Sequence, residues 1–207
     1  MLLKKLIVGP LQENCYIAGD EKTKQAIVID PGDEADRIID VIKDEGLEVT
    51  AIVCTHSHFD HVSGVGEIKK ATGAKIFIHK GDMELYDSAK DQAAFWGFNL
   101  DDIPRPDGFI NEGDEIKAGG LTFKVLHTPG HSKGSICLYG HGTAFTGDTL
   151  FEGNVGRTDF PGGSMAELKE SFKRLLTLPE DTKVLSGHGN DTTIGREKRE
   201  NFFAEEL

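Results

Sequence analysis

The segment THSHFDH at positions 55–61 concentrates side chains that could do chemistry. Three imidazoles and a carboxylate stand within six residues, and each would need its own polar partner in an apolar core. The segment directly follows a short apolar run that predicts a buried strand. In a loop at a strand end, His56 and His58 can converge on one ion, whereas Asp60 and His61 can face a neighbouring ion. Histidine nitrogen and carboxylate oxygen bind Zn, Mn or Fe, so the pattern predicts a metal site.

Three later segments carry further candidate ligands. They are His131 in HTPGHS, Asp148 in TGDT and His188 in SGHG. Each follows a predicted strand and has Gly or Pro neighbours, which let the backbone turn sharply. A single histidine in such a place is more often structural, but four segments in the same context indicate one shared site. The residues alone leave His127 as a competitor of His131.

Strands and helices alternate in two halves of the chain. Apolar and β-branched runs predict strands at Leu2–Val8, Asn14–Ala18, Ala26–Asp30, Val49–Val53, Lys75–Ile78, Glu115–Ala118, Leu121–Leu126, Ser135–Tyr139, Thr143–Phe145 and Lys183–Leu185. Capping residues and helical spacing predict helices from Asp33 to about Glu45, and at Gly64–Thr72, Ser164–Leu176 and Ile194–Phe202. Strands followed by helices in both halves predict an α+β fold, with two sheets packed face to face and helices outside.

Residues 80–111 are less regular and contain the single tryptophan, Trp96, near Phe95 and Phe98. They predict a helix followed by a long loop. Two interpretations stay open: a lid over the site, or an aromatic cluster packed onto the core.

Composition limits the class of protein. The length fits one domain, expected to span 1–207. With 23 basic and 35 acidic residues, the formal net charge is −12, which argues against nucleic acid or an anionic membrane as partner. The three cysteines stand far apart, so we expect reduced core residues. The N-terminus does not read as a signal peptide and no apolar stretch is long enough to span a bilayer, so a cytoplasmic location is expected.

The four ligand segments, in this order, resemble the metallo-β-lactamase superfamily, whose signature is His-x-His-x-Asp-His after a strand. The resemblance covers nearly the whole chain and implies an αββα four-layer sandwich with the site at one edge, between the sheets. It implies two metals: one held by His56, His58 and His131, the other by Asp60, His61 and His188, with Asp148 bridging both. It selects His131 over His127, which is left as a residue that could support a ligand. His79 and His141 are interpreted as ordinary structural or surface histidines.

The stretch from Thr146 to Phe151, with Gly156-Arg157 and Gly187-His188-Gly189, is similar to the glyoxalase II (hydroxyacylglutathione hydrolase) branch. This implies hydrolysis of a small thioester to a hydroxy acid and a thiol, by a hydroxide shared between two divalent metals. Zn is the expected metal, and Fe or Mn would also suit the ligands. Asp60 and Asp148 would orient the hydroxide, and Arg157 would meet a carboxylate of glutathione. Thr55 either supports a ligand or only forms a turn.

Other features leave alternatives open. Asp148 argues against an antibiotic-degrading enzyme, where Cys or Ser is common at this position. The longer glyoxalase II enzymes have a C-terminal helical extension and a Tyr soon after the last ligand, neither of which is found here, so the chain resembles a short single-domain group. Its Gly-Arg-Thr-Asp-Phe segment also resembles persulfide dioxygenases, which bind one iron; retention of His188 and the other second-site residues favours the two-metal hydrolase. A third alternative is a protein that binds metal only as a structural brace.

Overall fold

The computed structural model describes residues 1–206. Within them the strands are β1 (Leu2–Val8), β2 (Glu13–Gly19), β3 (Gln25–Ile29), β4 (Glu48–Val53), β5 (Lys75–Ile78), β6 (Gly108–Phe109), β7 (Glu115–Ala118), β8 (Leu121–His127), β9 (Ile136–Gly140), β10 (Thr143–Gly147), β11 (Leu150–Phe151), β12 (Asn154–Val155), β13 (Lys183–Ser186) and β14 (Thr192–Thr193). The helices are α1 (Ala35–Asp44), α2 (Phe59–Val62), α3 (Val65–Thr72), α4 (Met83–Asp87), α5 (Ala89–Phe95), α6 (Met165–Leu175) and α7 (Ile194–Glu200), with 3-10 turns at Lys80–Asp82 and Phe202–Glu206.

Twelve of these strands form two six-stranded sheets. Their orders are β1-β2-β3-β4-β5-β6 and β14-β13-β10-β9-β8-β7, and β11 pairs only with β12. The first three strands form an antiparallel meander, after which β3, β4 and β5 run parallel. In the second sheet β10 runs parallel to β13.

Three apolar cores separate four layers. Along β2 the side chains alternate: Cys15 and Ile17 pack in the core that includes α1 and α3, while Tyr16 lies in the core between the sheets. The third core joins the second sheet to α6 and α7, through residues such as Phe172 and Ile194. The predicted αββα sandwich is confirmed. The three cysteines are free and buried, as expected, and no helix within residues 1–206 is long and apolar enough to cross a membrane.

The prediction that Asp33 caps the first helix is wrong. The helix begins at Ala35, and Glu34 occupies the cap position in the left-handed conformation with φ 48°. Asp33 Oδ1 instead accepts a hydrogen bond from the backbone N–H of Glu34, so a local turn takes the place of a cap. The prediction for Ser164 is confirmed, because its Oγ accepts the backbone N–H of Glu167 at the start of α6.

Residues 80–111 contain two short helices rather than one. Ser88 ends α4, and its Oγ donates to the backbone carbonyl of Leu85. Phe98 packs against the first core, so the packed interpretation holds for this residue. Phe95 and Trp96 do not pack in this way, because they are 82% and 49% exposed.

The strand directions bring the ligand segments to one edge of the sandwich. Parallel strands end at the same side of their sheet, and Asp30, Thr55 and His79 directly follow or stand close behind the ends of β3, β4 and β5. Asp148 and His188 follow the parallel pair β10 and β13. Chemistry-bearing residues distant in sequence therefore meet between the two sheets.

Candidate metal centre

His56, His58 and His131 form one compact group. Nε2 of His131 lies 3.2 Å from Nε2 of His56 and 2.8 Å from Nδ1 of His58. Burial lowers the pKa of His56 well below its usual range and lowers the pKa of His58 to about 3, so both rings are neutral with a lone pair to share. Three imidazole nitrogens this close together could hold one metal ion.

Asp60, His61 and His188 form a second group that could hold a metal. Asp60 Oδ2 lies 3.3 Å from His188 Nε2 and 3.8 Å from His61 Nε2. Burial opposes ionisation of Asp60, but the His61 and His188 imidazoles outweigh it and hold the pKa of this carboxyl below its usual range. The sequence predicted a loop for the whole motif, but Asp60 and His61 lie on the short helix α2, which follows His58.

Asp148 lies between the two groups. Its Oδ1 is 3.5 Å from His61 Nε2, and its Oδ2 is 3.7 Å from His131 Nε2 and 3.8 Å from His188 Nε2. Among the described residues, His61 Nε2 and Asp148 Oδ1 are buried and have no hydrogen-bond partner. Buried polar atoms normally have one, and a metal ion would satisfy both atoms. The donor set and its orphaned atoms therefore fit two metal ions with Asp148 between them.

The other ring nitrogen of each of three histidines is held by an oxygen. Nδ1 of His131 lies 2.8 Å from the carbonyl of Arg157, and Nδ1 of His188 lies 3.1 Å from the carbonyl of Leu11. Nδ1 of His61 lies 3.1 Å from a carboxylate oxygen of Asp30. Since these oxygens accept the Nδ1 proton, they direct the Nε2 lone pairs towards the site.

Asp30 contacts residues of the candidate site, and sequence reasoning missed it. Its Oδ1 accepts the backbone N–H of Thr55 and its Oδ2 accepts the Thr55 hydroxyl, both at 2.6 Å. Thr55 Oγ1 also lies 3.2 Å from Nδ1 of His56. Asp30 thus supports His61 directly and His56 through Thr55, which favours the interpretation of Thr55 as a supporting residue. The sequence held one indication of this role: Asp30 ends the predicted strand before the one that leads into the histidine motif.

Asp82 is a second residue missed from the sequence. It is buried, and its Oδ2 accepts the backbone N–H of Ser57 at 3.0 Å and the hydroxyl of Ser132 at 2.8 Å. Its Oδ1 accepts the backbone N–H of Gly134 at 2.6 Å. One carboxylate therefore ties the loop of His56 and His58 to the loop of His131.

We expect Asp82→Asn to weaken metal binding by about 10- to 100-fold, the usual effect of losing a residue that orients ligands. The amide would turn an NH₂ group towards donors that the carboxylate accepts. Zinc affinity measured by competition with a chromophoric chelator tests this. Asp107→Asn is the matched control, because Asp107 also accepts a backbone N–H, that of Ile76, away from the site. Equal zinc affinities for the two variants would contradict the assignment.

A cleft of about 610 Å³ opens above the two groups and includes side chains of both in its lining. Arg157 lines this cleft, as does Phe160. The Arg157 guanidinium forms two hydrogen bonds of 2.6 Å with the carboxylate of Asp159, and lies 3.8 Å from the centre of the Phe160 ring. Arg157 therefore faces the cleft while paired with an acidic neighbour.

The remaining histidines lie elsewhere. Nε2 of His127 lies 2.9 Å from the carbonyl of Lys133, and its ring stacks on His79 with centroids 4.1 Å apart. It supports no ligand of the site through these contacts, so the suggestion that His127 could do so is not supported by the structure. Nε2 of His141 accepts the backbone N–H of Thr122, a structural contact as expected.

A sequence model of the metallo-beta-lactamase superfamily matches residues 8–188. The match includes all seven candidate ligands and most of both sheets. The chain therefore belongs to the metallo-β-lactamase superfamily.

The chain is similar over nearly its whole length to several other proteins. The chain is 40% identical to hydroxyacylglutathione hydrolase GloC of Haemophilus influenzae over 208 residues, 98% of each protein. Among solved structures, it is similar to the BLEG-1 B3 metallo-beta-lactamase (34% identity, 98% and 99% coverage, TM-score 0.91) and to the di-iron-bound form of TTHA1623 (40%, 97% and 99%, 0.89). ETHE1 from Myxococcus xanthus is 32% identical, with 98% and 84% coverage and a TM-score of 0.81. The di-iron structure and the His/Asp groups support divalent metals at this site.

Proposed function

We propose that this protein is a two-metal hydrolase that cleaves thioesters, of the hydroxyacylglutathione hydrolase type. The observation that carries the proposal is the position of Asp148 between two groups of ligand atoms, each on the wall of one accessible cleft. The similarity to GloC supports the thioester as substrate. A cytoplasmic location and a single domain over 1–207 stay predictions from the sequence.

His56, His58 and His131 would hold one metal, and Asp60, His61 and His188 the other, with Asp148 shared. Zinc is the proposed metal; the same nitrogen and oxygen donors suit iron or manganese. Divalent metals, when bound, supply Lewis acidity that lowers the pKa of water and polarises an acyl carbonyl.

The chain's own residues orient the reaction. Asp60 and Asp148 line the cleft, where their carboxylates can accept hydrogen bonds from the attacking water. The water oxygen forms a bond to the acyl carbon, the C–S bond breaks, and the two hydrogen atoms of water leave with the acid and the thiol. The apolar side chains Phe59 and Trp96 in the cleft wall would lie beside the bound thioester.

Hydrolysis of S-D-lactoylglutathione by protein loaded in turn with Zn, Mn and Fe tests the proposal. We expect a kcat/KM of at least about 10⁴ M⁻¹s⁻¹ with one of these metals, the low end of ordinary enzymes. Absence of metal-dependent hydrolysis of this and of simpler thioesters would overturn it.

We expect Arg157→Ala to raise KM for S-D-lactoylglutathione by about fivefold with little change in kcat, because Arg157 would bind a substrate carboxylate that competes with Asp159. The small factor is typical of an exposed ion pair. Steady-state kinetics checks it, with Arg105→Ala as control, since Arg105 is also exposed and lies near a carboxylate, that of Asp87, but outside the cleft. An unchanged KM would reject this role for Arg157.

A second candidate function is persulfide oxidation at a single iron. The Gly156–Phe160 segment favours it, and the similarity to ETHE1 is consistent with it. Iron content near one per chain with persulfide-dependent oxygen uptake would select this function; two metals with thioester hydrolysis would select the first. The open cleft beside the ligand groups argues against metal binding as a structural brace alone, since structural sites are closed.

A further inference from the structure

Apolar side chains dominate the walls of the cleft above the ligand groups. One wall is built by α4, α5 and the residue that follows them, with Leu85, Phe95 and Trp96 facing the cleft. The opposite wall, from the second half of the chain, contributes Phe160 and Pro161. A group that enters the cleft therefore meets apolar surface on two sides.

The aromatic rings form a continuous path from the mouth of the cleft to the ligand groups. The ring of Trp96 lies 5.8 Å from that of Phe95 and 6.3 Å from that of Phe160, both edge-on. The Phe160 ring in turn lies 5.7 Å from the ring of His58. Phe95 is 82% exposed and Trp96 is 49% exposed. Large aromatic side chains left in solvent beside a functional cleft mark a surface that binds an apolar group.

The charges of the cleft point the same way. Arg157 is the basic residue in its lining, and Asp159 neutralises most of its charge through two hydrogen bonds. The chain as a whole carries a formal charge of −12, which disfavours a polyanionic ligand. Apart from the metals, such a cleft can hold one substrate carboxylate only weakly, so apolar contact must supply much of the remaining binding free energy.

We propose that the natural thioester carries an aromatic or similarly large apolar group next to its reacting carbonyl or sulfur, and that Trp96 and Phe160 bind this group. The inference rests on the proposed thioesterase function and narrows its substrate class. A lactoyl group alone would leave the aromatic walls uncovered, whereas a phenyl ring can pack edge-to-face against the ring of Trp96 or of Phe160. The group belongs to the acyl part or to the thiol part of the substrate.

Three thioesters separate these two sources. S-D-lactoylglutathione is the reference, S-D-mandeloylglutathione replaces the acyl methyl group by phenyl, and S-D-lactoyl benzyl mercaptan places the phenyl on the thiol. Each kcat/KM of the zinc-loaded protein is divided by the rate constant for uncatalysed alkaline hydrolysis of the same compound. We expect one phenyl compound to exceed the reference by at least about tenfold, and its identity assigns the group to the acyl or the thiol part.

In Trp96→Ala, the ratio of normalised kcat/KM for the preferred phenyl compound to that for S-D-lactoylglutathione should fall to about three or less. Phe109→Ala is the matched control, because Phe109 is also an exposed aromatic residue, 46% accessible, that does not line the cleft. It should leave the preference as in the unmodified protein.

Binding without turnover gives an independent measurement. Trp96 is the single tryptophan of the chain, so tryptophan fluorescence, excited selectively over that of tyrosine, reports on this wall alone. If the kinetics assign the apolar group to the acyl part, S-benzylglutathione, whose benzyl group takes the acyl position, should change the fluorescence at a concentration at least about tenfold lower than S-methylglutathione does.

The outcomes distinguish the inference from the function on which it rests. If no thioester is hydrolysed with any metal, the proposed function fails. If neither phenyl compound exceeds S-D-lactoylglutathione in this normalised kcat/KM, the proposed function stands and the inference is overturned. A phenyl preference that survives in Trp96→Ala also overturns the inference. So does the absence of a phenyl preference in the unmodified protein together with a lower oligomeric state of Trp96→Ala than of the unmodified protein. That result would assign the exposed side chains of Phe95 and Trp96 to contact with a second copy of the chain.

Discussion

Replacing Asp148 with Ala is expected to lower kcat/KM for thioester hydrolysis by at least about 1,000-fold, the upper end of what removing one preorganised electrostatic group costs. Asp148 is placed to serve both groups, because its two oxygens approach His61 on one side and His131 on the other. Its loss would leave both metals with one ligand fewer. The bound metal should therefore fall from two ions per chain towards one or none.

Metal content by mass spectrometry and steady-state kinetics on the same preparations test this prediction. Asp181→Ala is the control, because Asp181 is exposed and belongs to neither group that could hold a metal. An Asp148→Ala variant that keeps two metals and its activity would show that this carboxylate does not join the groups.

A second large effect is expected at a residue without a side chain. A Cβ added at Gly187 would overlap Asp148 Oδ1 and lie 2.7 Å from Cε1 of His61. Two hydrogen bonds hold the backbone of Gly187 in place. Its N–H donates to the backbone carbonyl of Gly147 at 2.8 Å, and its carbonyl accepts the backbone N–H of Asn14 at 2.7 Å. Gly187→Ala should therefore displace Asp148 or His61 and reduce kcat/KM by at least about 100-fold.

The effect should be local to the site, with a stability cost of about 1–3 kcal/mol, as for other overpacked positions. Metal content, thermal unfolding and kinetics of the variant measure the two effects separately. Gly142→Ala is the control: Gly142 has φ 71° with open space around its Cβ position, so substitution strains the backbone without blocking a ligand. Full activity of Gly187→Ala would refute the geometry described for Asp148 and His61.

Residues that follow regular strands could be placed from the sequence. The apolar run before Thr55 forms β4, and the parallel partners of this strand carry other polar residues to the same edge. The sequence-predicted residues His56, His58 and His131 come together, as do Asp60, His61 and His188. Local patterns marked the ligand segments, because each follows a predicted strand, and the family resemblance divided the ligands into two groups and selected His131 over His127.

Residues whose partners are distant in sequence could not be placed. Asp82 lies in a segment without periodic pattern, and its role depends on Ser57 and Gly134, which come from two other loops. Asp30 looked like the end of a strand, because nothing local indicates that its carboxylate accepts from Thr55 and faces His61. The contacts that orient the ligands arise only when the two sheets pack.

The position of Arg157 illustrates the same limit. The family resemblance predicted that Arg157 contacts the substrate, and in the structure Arg157 lines the cleft. Its pairing with Asp159, two residues away, depends on the backbone of a loop that no regular element fixes. Sequence alone therefore predicted a basic residue at the site. It did not predict that Asp159 neutralises part of the charge with which Arg157 could bind a substrate.

Anomalous X-ray diffraction from crystals of the zinc-loaded protein, recorded on either side of the zinc absorption edge, tests the two-metal centre most directly. We expect two anomalous peaks, one among His56, His58 and His131 and one among Asp60, His61 and His188, with Asp148 between them. A single peak within the three-histidine group, with Asp148 and His188 away from it in a protein with full hydrolytic activity, would contradict the two-metal account.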